Sequence, residues 1–152
     1  MEKTLNVAKA LYEMYFEETG KYMDELKMHK LMYFSQRESL MMYGRALFRG
    51  NFYAWKYGPV LKSVRSEFYK GTHFVNVSDE VSNQTRALLA GVMKRYGTLD
   101  SWKLSSLSHR EFSWKKARSE AEAAGMQEAK MSLDSMKVDA VRESLLRKSM
   151  EQ

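Results

Sequence analysis

Three histidines, His29, His73 and His109, are the side chains of this 152-residue chain whose unperturbed pKa lies near neutrality, so any proton-transfer chemistry would start from them. Their spacing matches no HExxH pattern, and the chain has no cysteine to complete a zinc site, form a disulfide or act as a thiolate nucleophile. No GxxxxGK or GxGxxG loop is present to cradle a phosphate. His29, beside Lys30 on a helical stretch, reads as a solvent-facing or capping histidine, and His109, near Glu111 and Trp114, as one that orients a helix end by hydrogen bonding. Neither has a paired nucleophile. The expectation is a chain without a catalytic set, cofactor or metal centre.

Chemistry of recognition is concentrated elsewhere, between Lys30 and Tyr69, around the single proline, Pro59. Phe52, Tyr53, Trp55 and Tyr57 crowd in just ahead of Gly58-Pro59. Proline lacks an amide proton and disfavours helix in the residue before it, which predicts that one element ends at Gly58 and that Pro59 takes the first position of the next helix. Trp55, close to Pro59, is expected to plug the core. Arg45, Arg49, Lys56, Tyr57, Lys62 and Arg65 are the expected exposed set, since tyrosine and arginine recur at protein interfaces. The same cations and aromatics would also suit a nucleic-acid-binding protein of a phage or mobile element. Against that, the net charge of +6 is spread among interleaved acids, as in Lys115, Lys116, Arg118, Glu120 and Glu122, which is the pattern of solvated helix faces.

The block as a whole resembles the Panacea antitoxin domain, the family of SocA-like antitoxins and GepA-like phage-associated proteins. The residues that carry the likeness are Lys30-Leu31-Met32-Tyr33-Phe34, then Tyr43-Gly44 with Leu47-Phe48, then Ala54-Trp55 with Gly58-Pro59-Val60. A fainter echo follows in Leu107-Ser108-His109, Trp114 and Arg118, so the likeness spans roughly Thr4 to Arg118. It implies a non-enzymatic protein that binds a cognate protein toxin, encoded by an adjacent gene, and a cellular protease to which relatives of this kind deliver their toxin. It implies structural roles for Leu31, Phe34, Trp55, Gly58, Pro59, Val60 and Trp114. Arg49-Gly50-Asn51 stands where acidic residues are common in the family and Arg65 where an aromatic is frequent, which makes this corner more basic and its partner's surface more acidic.

These residues need elements to position them, and hydrophobic periodicity supplies a mainly α, compact multi-helix single domain over residues 1–152, with a core of about 4–118 and a C-terminal helical extension of 119–152. At this length a chain can bury about 68–70% of its unfolded surface. Leu5, Ala8, Tyr12, Tyr15 and Phe16 mark a first helix ending before Gly20. Asp24 is positioned to cap a second helix that stops at Gly44 and is apolar on most sides, with Leu31 and Phe34 as its most buried residues. Its methionines, Met28, Met32, Met41 and Met42, are expected to fill the core.

Between Gly44 and Gly58 the helical period fails, which predicts a small β-hairpin or an extended aromatic corner. Helix resumes with Val60, Val64 and Phe68 on one stripe; Phe74–Val77 is a candidate strand; and Asp79 is placed to cap a helix bearing Leu88, Leu89, Val92 and Tyr96. Two shorter helices follow, one capped by Thr98 or Asp100 and one starting near Glu111. A last helix carries Val138, Val141 and Leu145 on a face that would serve either the core or a homodimer. No apolar run approaches the ~20 residues of a membrane span, and with no cysteine and no signal-peptide core the expected location is the cytoplasm.

Overall fold

Asp24 and Gly44 delimit the helix about which the chain is organised. In the computed structural model, which describes residues 1–151, the Asp24 carboxylate accepts from the Lys27 amide at 2.8 Å, and Gly44 closes the helix in the left-handed region at φ 68°. The described residues form α1 (Thr4–Thr19), α2 (Glu25–Tyr43), β1 (Phe52–Trp55), β2 (Gly58–Leu61), α3 (Lys62–Tyr69), α4 (Asn83–Tyr96), α5 (Ser101–His109), α6 (Phe112–Ala123) and α7 (Leu133–Met150). Helix α2 packs against α1, α3, α4, α5, α7 and β2, and the antiparallel β1-β2 hairpin lies against it. The architecture is mainly α with one small hairpin. Leu31 and Phe34 are both buried, and side chains of that size each contribute roughly 1.5–3 kcal/mol by leaving water. No helix of the described residues is long and apolar enough to cross a membrane.

Helix α2 is buried on every side from Lys27 to Arg37, so its polar side chains must find partners in the interior. Gln36 clamps the segment before the hairpin, accepting from the Leu47 amide at 2.7 Å and donating to the Phe48 carbonyl at 2.9 Å. Arg37 donates to Glu111 and to the Tyr96 hydroxyl. The Tyr33 hydroxyl lies 2.8 Å from Asp139 Oδ2 and 2.9 Å from Glu111 Oε2. A phenol has one proton, so it can donate to only one of them. Asp139 also accepts the Phe112 and Ser113 amides at the start of α6. Tyr33 is thus shared as a donor between the Asp139 and Glu111 carboxyl groups, satisfying one at a time. Burial, countered in part by Arg37, pushes Glu111 up to about 7.

Several elements depart from the sequence expectations. Pro59 is not the first residue of a helix; it lies in β2 opposite Ala54, and the helix begins at Lys62. Trp55 and Gly58 flank a two-residue turn and form its hydrogen-bonded pair, so Pro59 occupies a site whose nitrogen points away from β1 and costs the ladder nothing. Val60 accordingly lies in β2 and not on the α3 stripe. Phe74–Val77 is a turn and not a strand: His73 and Phe74 have φ of 47° and 64°, and the Phe74 ring is buried among Tyr12, Phe68 and His73. Ser82, not Asp79, caps α4, accepting from the Thr85 amide. Met42 is about half exposed and fills no core. Val138, Val141 and Leu145 face solvent, while Met136, Asp139 and Ala140 form the buried side of α7.

The raised pKa of Glu111 has a measurable consequence. Between its ordinary value of 4.5 and about 7 the folded state binds more protons at this site than the unfolded chain, so stability falls as pH rises through that window. Glu111→Gln keeps a donor toward Tyr33 and a carbonyl toward Arg37 but cannot ionise. Urea unfolding at about pH 5 and about pH 7.5 should show the wild type losing on the order of 1–3 kcal/mol relative to this variant. A constant difference between the two proteins would show that Glu111 is ionised throughout.

Candidate functional site

The hairpin turn closes over the N-terminal half of α2. Lys56 and Tyr57 are its two exposed central residues, and Gly58 follows at φ 127°, a conformation L side chains rarely adopt. A Cβ on Gly58 would also stand 2.8 Å from Lys30 Nζ, so the amine would have to move to admit one. Lys30, only 1% exposed, reaches from α2 to donate to the Tyr57 carbonyl at 2.5 Å. The adjacent His29 accepts from the Leu61 amide through Nδ1 at 3.2 Å, which leaves the proton on Nε2, 2.9 Å from Glu25. Two neighbouring α2 residues thus fasten the turn and the outer edge of β2. On the other side, Trp114 Nε1 donates to the Trp55 carbonyl at 2.9 Å, and Arg118 donates to the carbonyls of Ala54 and Gln127.

Between these supports lies a cavity of about 690 Å³. Leu26, Trp55 and Val60 provide apolar wall, and Lys30, Lys56, Arg65 and Arg118 line it with Glu25 and Glu128. Both carboxylates are engaged. Glu25 is held below its ordinary range by the hydrogen bond from His29 and by Arg65. Glu128 accepts from Lys62 at 2.7 Å and from Trp55 Nε1 at 3.0 Å. Burial lowers the His29 pKa, against the opposing pull of Glu25. Burial also pushes Lys30 down to about 8, and among the described residues it has no carboxylate within ion-pair distance. His109 stacks on Trp114 with ring centroids 4.2 Å apart; burial and the nearby Lys30 lower its pKa, and its Nε2 is buried without a hydrogen-bond partner. No group of His, Asp or Glu among the described residues is arranged to hold a metal.

Of the six expected contact residues, four are brought together. Lys56, Tyr57 and Arg65 line the cavity, and Lys62, ion-paired to Glu128, stands 4.0 Å over the Tyr53 ring beside it. Arg49 precedes the open end of the hairpin, opposite the turn, and Arg45 lies apart from the cavity, where it contacts Gln84 and Tyr43. Trp55 is not a core plug. Its indole N–H finds Glu128 at the rim and its ring carries Arg65 at 5.2 Å, so it forms half-buried wall, while Phe52 and Ala54 on the alternate positions fill the core. His29 is not a solvent histidine either, because the edge amide of Leu61 and the Glu25 carboxylate draw it inside. Sequence reasoning passed over Lys30 as a site residue; the available signal was a charged residue at the centre of a helix read as apolar on most sides.

The residues of the Lys-Leu-Met-Tyr-Phe, Tyr-Gly and Trp-x-x-Gly-Pro segments are thus those that build α2, end it and seat the hairpin on it. A family model described as antitoxin SocA-like, Panacea domain, matches residues 28–115, from α2 into α6. The chain belongs to this antitoxin-like family. No curated protein and no solved structure matches it.

Lys30 provides a second stability test. A lysine whose folded pKa is depressed from 10.5 to about 8 opposes folding at neutral pH, and that opposition fades as pH rises from about 8 to 10.5. Lys30→Met, of similar volume, should be on the order of 2 kcal/mol more stable than wild type near pH 7, with the gap narrowing above about pH 9. Chemical denaturation across that range checks both points; a variant less stable at neutral pH would show that the bond to Tyr57 outweighs the burial of the amine.

Proposed function

We propose that this protein is an antitoxin that neutralises a cognate protein toxin, encoded by an adjacent gene, by binding it directly and without catalysis in the cytoplasm. Family membership supports the antitoxin role, and the observation that carries the binding mode is the fastened hairpin turn beside the cavity. Tyr57 is 60% exposed although its carbonyl is held by Lys30, so the corner presents an aromatic on a braced backbone. Presenting a pre-ordered surface reduces the ordering cost of association. Lys56, Tyr57, Lys62 and Arg65 are the proposed first contacts. A standard interface covers about 800 Å² per partner, wide enough for a toxin seated on the turn to reach Arg49 and Arg45 as well. Delivery of the bound toxin to a cellular protease is a compatible variant of the same binding step, and an origin in a prophage fits the phage-associated relatives the sequence resembles.

Co-expression with the neighbouring gene product tests this. A stoichiometric complex that survives a high-salt wash, together with rescue of growth, is the expected outcome; no complex and no rescue would remove the antitoxin reading. Tyr57→Ala combined with Lys56→Glu should weaken toxin binding at least about tenfold, as loss of an interface anchor does, while leaving the melting temperature nearly unchanged. Retention of nucleic acid in place of protein, lost steeply as salt rises, would favour nucleic-acid binding instead.

A further inference from the structure

An ammonium group taken out of water needs an anion or a full set of acceptors. Among the described residues Lys30 has one acceptor, the Tyr57 carbonyl, for three N–H donors, and no carboxylate within ion-pair distance. A methionine would fill the same space without that cost. The two acids of the cavity cannot serve it, because Glu25 is committed to His29 and Arg65, and Glu128 to Lys62 and Trp55. Four cations, Lys30, Lys56, Arg65 and Arg118, thus line the space against two carboxylates that are already paired. The opposite wall is apolar and aromatic, and the cavity of about 690 Å³ exceeds the volume of any single side chain.

We propose that the cavity is an acid seat for a protein partner: an aspartate or glutamate of an extended segment places its carboxylate on Lys30, and an adjoining large apolar side chain packs against Trp55, Leu26 and Val60. Arg65, stacked on Trp55, and Lys56, on the turn, flank the incoming carboxylate. The positive excess attracts the segment, and the wall of indole and aliphatic carbon selects an acid that has an apolar neighbour. The seat supplies the anion that the interior of the free protein withholds from Lys30.

The inference rests on the antitoxin reading for the identity of the partner, and the two fail separately. A captured toxin that binds Lys30→Met as tightly as wild type would remove the acid seat and leave the antitoxin standing; failure to capture any toxin would remove the antitoxin reading and leave the seat to a direct test. That test is selection of a random peptide phage library on the full chain, followed by affinity measurement on the winning peptides. Enriched sequences should share an acidic residue beside an aromatic or large aliphatic one. Replacing that Glu by Gln in the synthetic peptide should weaken binding at least about tenfold, Lys30→Met should weaken it by a similar factor, and the two losses combined should amount to little more than either alone. Acid-free winners, no enrichment, losses that simply multiply, or unchanged affinity for Lys30→Met would each overturn the proposal. The Glu-to-Gln exchange is measured on the wild-type protein, so it decides the matter even where a variant folds poorly.

Discussion

Burial of α2 on every side from Lys27 to Arg37 is the constraint from which the rest follows. A helix enclosed by five others and a strand can carry polar side chains only if each finds a partner inside, and here the partners include backbone groups of the hairpin, Glu111 just before α6 and Asp139 of α7. An isolated two-stranded hairpin is marginal in water. This one is held by side chains on both flanks: His29 and Lys30 take Leu61 and Tyr57, while Trp114 and Arg118 take Trp55 and Ala54. Its position is therefore set by satisfaction of hydrogen bonds more than by strand propensity.

That mode of support shapes the surface. The groups that stabilise the hairpin lie under it, which leaves Tyr57 and Lys56 free on top and allows their exposure without loss of order. The rim acids are consumed by internal pairs, and the cations remain in excess. A binding surface arises here as the residue of structural bookkeeping: what the fold has neutralised is silent, and what it has left uncompensated can recognise a partner.

Much of the fold was legible because its boundaries are local chemistry. Asp24, Asp100, Gly20 and Gly44 sit where caps must sit, and an amide satisfied by a carboxylate three residues earlier needs no knowledge of the rest of the chain. The errors share an opposite cause. Pro59 was read for its local bias toward a helix start, but the register of β2 gives its missing proton a harmless direction, which is a fact about pairing. Phe74 lies in a stretch of good strand formers, yet burial of its single ring among Tyr12 and Phe68 dictates a left-handed turn. Trp55 and His29 were misplaced because each is positioned by a residue distant in sequence, Glu128 and Leu61. Of the six expected contact residues, Lys56, Tyr57, Lys62 and Arg65 cluster around one turn, whereas nothing local in the sequence indicates that Arg45 lies elsewhere.

The distance between Gly58 and the Lys30 amine carries an implication for sequence variation. Two positions 28 residues apart in the chain compete for one small volume, because any Cβ at the turn would intrude on the amine beneath it. A homologue with a larger residue at position 58 must therefore shorten or redirect the residue at position 30, and must also hold the larger residue at a backbone φ that side chains rarely adopt. The pair should covary as a unit when related sequences are aligned, and a relative that has lost both would retain the hairpin with a differently charged floor beneath it.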